Sequence, residues 1–279
     1  MKLIDGIEEI KRMRTKLKSP VALVPTMGHL HDGHLSLVRA ATAECASVIV
    51  SIFVNPAQFS PGEDFRHYPR DLKHDLPLLE KEGIDIVFNP SVEEMYPKGF
   101  DSWVEVGDIA RRLEGKSRPT HFRGVTTIVA RLFNIIQPKK AYFGQKDAQQ
   151  AIIIKKMAKD LNMGVDIITL PTVREADGLA MSSRNSYLKP QERQAAVILY
   201  KSLKEVEKLY RNGQKSAERL LMEMRDMIDS EALAEIDYIS VADNETFVEL
   251  PEVIPPALVS LAVRIGKTRL IDNIIIKDT

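Results

Sequence analysis

Residues 21–34 read Val21-Ala22-Leu23-Val24-Pro25-Thr26-Met27-Gly28-His29-Leu30-His31-Asp32-Gly33-His34, and this stretch decides the fold. Four apolar residues in succession predict a short strand buried on both faces. The two glycines that follow mark a turn whose backbone can approach a ligand closely. A helix is expected to open near Gly33, and its first N–H groups, together with a partial positive charge, suit phosphate. His31 and His34 then fall one helical turn apart and face the same place, while His29 lies in the turn and is expected to be exposed. Three histidines within six residues also fit a zinc site or an ordinary turn. Zinc takes three or four protein ligands, however, and the chain has neither a cysteine cluster nor an HExxH word.

Outward from this stretch, the first 170 residues alternate two grammars. Short runs rich in Val, Ile or Phe predict strands at 21–25, 48–54, 84–88, 140–143 and 165–170. Helical spacing predicts helices at 34–46, 69–82, 124–137 and 146–161. The order implies an α/β fold, a Rossmann-like parallel sheet covered on both sides. Ligands of such sheets bind beyond the carboxyl ends of the strands. After about residue 175 come an amphipathic helix at 190–211 with Pro190 in its first turn and a second helix at 216–229. Strands at 236–242, 257–265 and 268–276 follow, the last two joined by Gly266-Lys267. This predicts a smaller α+β C-terminal domain, with the division at 1–175 and 176–279. Residues 107–123, with Gly107, Gly115 and Pro119 amid charges, read as a long loop or short helix near a site.

The totals narrow the function classes. Lys and Arg number 39, Asp and Glu 39, and aromatics make up 6%, so nothing in the balance favours nucleic acid as a partner. The single cysteine, Cys45, excludes an intrachain disulfide and reads as a small hydrophobe on the packed side of a helix. No apolar stretch approaches the roughly 18 residues that span a membrane, and the N-terminus lacks the apolar core of a signal peptide. A reducing cytoplasm is the expected location.

Three further words carry chemistry. In Phe53-Val54-Asn55-Pro56-Ala57-Gln58-Phe59, the amides of Asn55 and Gln58 follow a strand and offer donors and acceptors without charge; the alternative is a turn that merely ends the strand. In Phe143-Gly144-Gln145-Lys146-Asp147-Ala148-Gln149-Gln150, Gly144 permits close approach, Lys146 can neutralise phosphate and Asp147 can accept from ribose hydroxyls. Gln150 falls one turn into the helix; the alternative is an N-cap Asp beside a solvated Lys. In Arg174-Glu175-Ala176-Asp177-Gly178-Leu179-Ala180-Met181-Ser182-Ser183-Arg184-Asn185, two hydroxyls and a guanidinium suit a triphosphate, although the segment is also a linker.

These words carry a resemblance. Pro25-Thr26-Met27-Gly28 with His31-Asp32-Gly33-His34 is similar to the HxGH signature of the nucleotidylyltransferase superfamily. The longer words at 53–59, 143–150 and 177–185 narrow it to the pantoate–β-alanine ligase family, across essentially the whole chain. The resemblance implies ATP- and Mg²⁺-dependent ligation of (R)-pantoate to β-alanine through a pantoyl adenylate, with release of AMP and diphosphate. It implies His34 as the catalytic histidine, with His31, Lys146 and Arg184 beside it in the chemistry. Met27, Gly28, His29, Leu30, His31, Asp32, Gly33 and His34 would line the ATP site, with Gly144, Gln145, Lys146, Asp147, Val173, Met181, Ser182, Ser183 and Arg184. Gln58 and Gln150 would bind pantoate, with Asn55 beside them. No protein metal site is expected. The family pattern further implies a cytoplasmic homodimer whose C-terminal domain acts as a lid. The rival readings are another HxGH adenylyl- or cytidylyltransferase, which would need extra cations for a phosphorylated substrate, and a nucleotide-binding regulator without catalysis. The roles of His67, Arg70, Asp71, Arg118, His121 and Arg123 stay open, as do the dimer face and any protein ligand to Mg²⁺.

Overall fold

The computed structural model describes residues 1–277. In chain order its elements are β1 (Lys2–Ile4), α1 (Ile7–Arg14), β2 (Val21–Thr26), α2 (Asp32–Glu44), β3 (Ser47–Ile52), α3 (Leu72–Lys81), β4 (Ile86–Phe88) and α4 (Val92–Met95). Next come α5 (Glu114–Ser117), α6 (His121–Ile136), β5 (Lys140–Gly144), α7 (Ala148–Asp160), β6 (Asp166–Leu170), α8 (Pro190–Ala195), α9 (Ile198–Arg211) and α10 (Ala217–Asp229). The chain ends in β7 (Ala234–Asp243), β8 (Ala257–Ile265) and β9 (Thr268–Ile276).

Contacts divide the chain into two compact units. The first comprises Met1–Ala110, Arg118–Gln145 and Gln149–Pro171; the second comprises Arg111–Ser117, Lys146–Ala148 and the chain from Thr172 onward. The first unit holds a parallel sheet of order β1-β4-β3-β2-β5-β6. Its central strands β2 and β3 are buried on both faces because both faces are covered, whereas the edge strands β1 and β6 keep exposed residues. Val21 and Leu23 pack with Ile49, Ile86, Phe88 and the apolar stripes of α6 and α7 on one side. Ala22 and Val24 pack with Val48, Val50, Val87, Tyr142 and α2 on the other. The chain leaves β2 toward β3 and β4 and later returns to β5 on its other edge. The strand order therefore reverses between β2 and β5, and a crevice opens at such a switch point beyond the strand ends.

The second unit holds an antiparallel sheet, β7-β8-β9, covered by α9 and α10. Thr268 pairs with Ile265 across the Gly266-Lys267 turn, so the expected hairpin is present. The single helix expected over 190–211 is two helices. The Val197 and Leu199 N–H groups bond three residues back, to Gln194 and Ala196, a tighter turn than an α-helix makes. That turn leaves both Ala196 and Leu199 in the core. Residues 107–123 contain a 3₁₀ turn at Asp108–Arg111, α5 and the start of α6. Cys45 is not on the packed side of a helix: it caps the C-terminus of α2, half-buried, with Sγ 3.9 Å from the Tyr142 hydroxyl.

Candidate active site

The loop after β2 is fixed by a residue far away in sequence. Thr26 Oγ1 donates to the Ser51 carbonyl at 2.9 Å and accepts from the Gly28 N–H at 3.2 Å. Gly28 has φ +83°, and a Cβ there would lie 3.1 Å from an Asp75 carboxylate oxygen. His29 also lies in the left-handed region, at φ +51°, which is uncommon for a residue with a side chain. It is held there because the His29 and Leu30 N–H groups donate to the two carboxylate oxygens of Asp75, each at 2.8 Å. Asp75 lies in the first turn of α3 and is 1% exposed. His29 is half-buried and its ring stacks on His74 at 5.8 Å, so the exposure expected of it is not found.

The loop delivers the chain into α2, whose N-cap is His31 rather than the usual Ser, Thr or Asp. His31 Nδ1 accepts from the Gly33 N–H at 3.2 Å, and His34 Nδ1 accepts from the His31 N–H at 3.4 Å. The two rings lie 4.1 Å apart, centroid to centroid. These bonds settle the tautomers. A nitrogen that accepts an N–H carries no proton, so in the neutral ring the proton sits on Nε2. Both imidazoles thus use one nitrogen to cap the helix and carry a donor on the other.

The word after β3 folds as a 3₁₀ turn, Pro56–Gln58, capped by Asn55. Asn55, a candidate substrate contact in the sequence, is placed here among partners within the protein. Asn55 is 1% exposed. Its Nδ2 donates to Gln58 Oε1 and to the Gly124 carbonyl, both at 3.1 Å. Its Oδ1 accepts from the Ala57 N–H at 3.2 Å and the Tyr96 hydroxyl at 2.8 Å. All four bonding positions of the amide are used within the protein, so Asn55 sets the turn and aims Gln58. Gln58 Nε2 lies 3.2 Å from the Met27 sulfur, which brings the first and second words together.

At the end of β5, Gln145–Asp147 form a 3₁₀ turn, and α7 opens at Ala148, two residues later than expected. Gln150 is half-buried in the first turn of α7, whereas Gln149 is buried and donates to the Ile109 carbonyl at 2.9 Å. Lys146 and Asp147 belong to the second unit. There the Lys146 carbonyl accepts from Asn273 Nδ2 at 2.9 Å, and Lys146 Nζ lies 3.9 Å from Asp147 Oδ1.

Within the second unit, Val173 and Met181 are joined by the Met181 N–H bond to the Val173 carbonyl at 3.0 Å. Ser182 caps the 3₁₀ turn Ser183–Tyr187 by accepting from the Arg184 N–H at 3.3 Å. Ser183 is buried and Arg184 half-buried. The segment is anchored by Arg174, whose guanidinium makes two bonds to the buried Asp272, at 2.6 and 3.0 Å, and lies 4.0 Å from the Tyr200 ring centroid. Sequence reasoning singles out neither Asp75 nor Asp272. Each looks like an ordinary surface carboxylate, and only its burial marks it.

Among the described residues, no group of three or more His, Cys, Asp or Glu side chains is placed to hold a metal ion, and no helix is long and apolar enough to cross a membrane.

The chain as a whole is similar to known proteins. A family profile described as pantoate-beta-alanine ligase matches residues 2–275. The chain is 57% identical to the pantothenate synthetase of Roseiflexus castenholzii over 277 residues, 99% of this chain and 100% of that one. It is 54% identical to the enzyme of that name from Acetivibrio thermocellus over 280 residues, again 99% and 100% of the two chains. Among solved structures, pantothenate synthetase from Thermus thermophilus superposes with a TM-score of 0.96 at 42% identity, covering 100% of both chains. Pantoate-beta-alanine ligase from Francisella tularensis, complexed with beta-gamma ATP and beta-alanine, does so with a TM-score of 0.82 at 36% identity, covering 99% of this chain and 97% of that one. With the matching profile spanning nearly its whole length, the chain belongs to the pantoate-beta-alanine ligase family.

Proposed function

We propose that the protein joins (R)-pantoate to β-alanine, using ATP and giving pantothenate, AMP and diphosphate through a bound pantoyl adenylate. Family membership supports the overall reaction. The observation that carries the chemistry is the pair of Nδ1-capping histidines at the start of α2, each with its donor on Nε2.

In the first step a pantoate carboxylate oxygen attacks the α-phosphorus of ATP, and the bond from that phosphorus to the bridging oxygen breaks as diphosphate leaves. Negative charge grows on the phosphoryl oxygens. His34, with His31, Lys146 and Arg184, donates to that charge, and stabilisation of developing charge is the kind that lowers such barriers most. Residues Met27–Asp32 and Gly33 supply the loop and helix start on which phosphate rests, with Gly144, Gln145, Val173, Met181, Ser182 and Ser183 completing the ATP contacts. Asp147 accepts from the ribose. Gln58 and Gln150 hold pantoate through neutral amides, with Asn55 acting through Gln58. In the second step the β-alanine amine attacks the mixed anhydride, the C–N bond forms, and AMP leaves with the C–O bond electrons. Water must be kept from that anhydride, which is the role proposed for the smaller domain as a lid.

Mg²⁺ fits as a companion of the nucleotide, because it keeps several waters and binds phosphate oxygens without a dedicated protein cage. When bound it neutralises phosphate charge. The Francisella tularensis relative, solved with beta-gamma ATP and beta-alanine, supports ATP and β-alanine as substrates. A cytoplasmic homodimer completes the reading.

The test is AMP and diphosphate release from ATP and Mg²⁺ with (R)-pantoate and β-alanine added singly and together. Stoichiometric AMP and pantothenate are expected only with both. Exchange of labelled diphosphate into ATP with pantoate alone places the adenylate first, and absence of turnover by folded protein overturns the reading.

A further inference from the structure

Two titratable residues outside the set above, Arg118 and His121, converge on one carbonyl, and a third, Glu63, holds the first of them. Arg118 is gripped by Glu63, with Nε to Oε1 at 2.7 Å and Nη2 to Oε2 at 2.6 Å. The same guanidinium donates from Nη2 to the Gln58 carbonyl at 3.3 Å, while Nη1 faces His121 Nε2 at 3.2 Å. His121 Nδ1 lies 2.8 Å from the Gln58 carbonyl. All belong to the first unit, and His121 is buried.

The proton positions follow from the donors. A guanidinium only donates, so His121 Nε2 accepts from it, and a carbonyl only accepts, so His121 Nδ1 carries the proton. His121 is therefore a neutral imidazole with its hydrogen on Nδ1, the opposite tautomer from His31 and His34. Arg118 fixes that tautomer, and Glu63 fixes Arg118 through a two-point fork whose plane cannot rotate. Glu63 stays charged in this setting: burial alone would raise its carboxyl, but the Arg118 guanidinium brings it below its ordinary value.

The target is the last residue of the capped 3₁₀ turn. Asn55 holds the Gln58 side chain from one direction, and the Arg118–His121 pair holds the Gln58 backbone from another. Two donors on a carbonyl leave its peptide plane little freedom, so the amide side chain beyond it is aimed from a fixed base. We propose that Glu63, Arg118 and His121 form a positioning relay that orients Gln58 toward the organic substrate, with the Nδ1–H of His121 as its working group. The proposal rests on the assignment of Gln58 to pantoate made above.

The relay is tested by isosteres in the full-length enzyme. Asparagine places its amide nitrogen where His121 Nδ1 stands, whereas glutamine reaches only the Nε2 position. His121→Gln is expected to raise the KM for pantoate about tenfold with the KM for ATP unchanged, the scale of one net hydrogen bond. His121→Asn is expected to recover most of that loss. In a Gln58→Ala background, His121→Gln is expected to add nothing. A purely structural role predicts instead that both substrates suffer and that the loss persists without the Gln58 side chain; either result overturns the relay, as does a normal pantoate KM in His121→Gln. Should His121→Gln fail to fold, Glu63→Gln gives the same reading, because it loosens Arg118 without touching the turn. If Gln58→Ala itself leaves pantoate KM and rate unchanged, the assignment of Gln58 falls. If Gln58→Ala is impaired while His121→Gln is normal, the relay alone falls.

Discussion

The carboxylate of Asp75 accepts the backbone N–H of Leu30 at 2.8 Å, and its second oxygen accepts that of His29 at the same distance, 46 residues away in sequence. A buried acid on α3 thus sets the shape of the histidine loop. Asp75→Ala leaves two amides and the His74 ring without this acceptor. An unsatisfied buried group costs about 1–3 kcal/mol, so urea unfolding is expected to lose at least that much. Turnover should fall further than stability, because His29 no longer has a reason to stay at φ +51°. Full activity in Asp75→Ala would remove the clamp from the account.

His34 offers a cleaner separation of roles. Its Nδ1 caps α2, and its Nε2–H is the group assigned to the phosphates. His34→Ala is expected to lower turnover by about 10²–10³ while the fold survives, the scale of losing one preorganised donor. His34→Gln keeps a donor near the Nε2 position and should recover part of the rate. Steady-state rates and circular dichroism on both variants check this, and near-normal turnover in His34→Ala would exclude the residue from the chemistry.

What is legible in the sequence is whatever is local. The strands at 21–25 and 140–143 are readable as short apolar runs, the helix at 216–229 by its helical spacing, and the HxGH word because strand, turn and cap follow one another in the chain. β1 is three residues long, too short to show a period. The break between α8 and α9 leaves the apolar spacing intact and so hides from it. Asn55 reads equally well as a substrate contact or as a turn former, and its bonds to Gly124 and Tyr96, far away in the chain, do not show in the sequence. Asp75 and Asp272 are invisible for a different reason. A carboxylate's partners lie across the fold, and nothing in its neighbours distinguishes a buried acid from a solvated one.

Gly124 shows the same dependence on distant contact. It lies in the first turns of α6, and a Cβ there would overlap the Ala57 carbonyl in the turn that carries Gln58. The obstacle is backbone on both sides, so neither can swing aside. Gly124→Ala gains helix propensity of about 1 kcal/mol but is expected to lose more through overpacking, about 1–3 kcal/mol. The expected outcome is a lower Tm together with a raised pantoate KM, since the displaced element is the Gln58 turn. A rise in Tm would mean that α6 and the turn can separate freely.

The Glu63–Arg118 pair predicts a pH dependence with a definite sign. Burial opposes the charged form of Glu63, but Arg118 outweighs it, and the folded-state pKa lies below the ordinary 4.5. A carboxyl with a depressed pKa binds its proton more readily in the unfolded chain. Its contribution is therefore complete above about 4.5 and is lost as pH falls through the lower folded value. The stability gap between the native protein and Glu63→Gln, from urea unfolding at a series of pH values, should be widest near neutrality and close below pH 4.5. A gap that stays constant across that range would show that the charge on Glu63 is not what holds Arg118.

Arg174 and Asp272 anchor the segment that carries Val173, Met181 and the serines. Asp272 is buried and Arg174 half-buried, and the pair is doubly bonded and roofed by Tyr200. Asp272 also accepts the Asn273 N–H at 2.7 Å, and Asn273 in turn holds the Lys146 carbonyl. Removing one partner of a buried pair strands the other charge, at a cost of about 3–5 kcal/mol. Asp272→Ala is therefore expected to be strongly destabilised, while Asp272→Asn keeps the shape and loses mainly the charge. Because this network holds the Gly178 carbonyl, in the segment that leads into the Ser182–Arg184 turn, and the backbone of Lys146, Asp272→Asn should impair ATP more than pantoate, the reverse of the split expected for His121→Gln. Substrate-specific KM values for the two variants provide the check. If Asp272→Asn instead raised only the pantoate KM, the proposed division of labour between the segment 173–184 and the Gln58 turn would have to be redrawn.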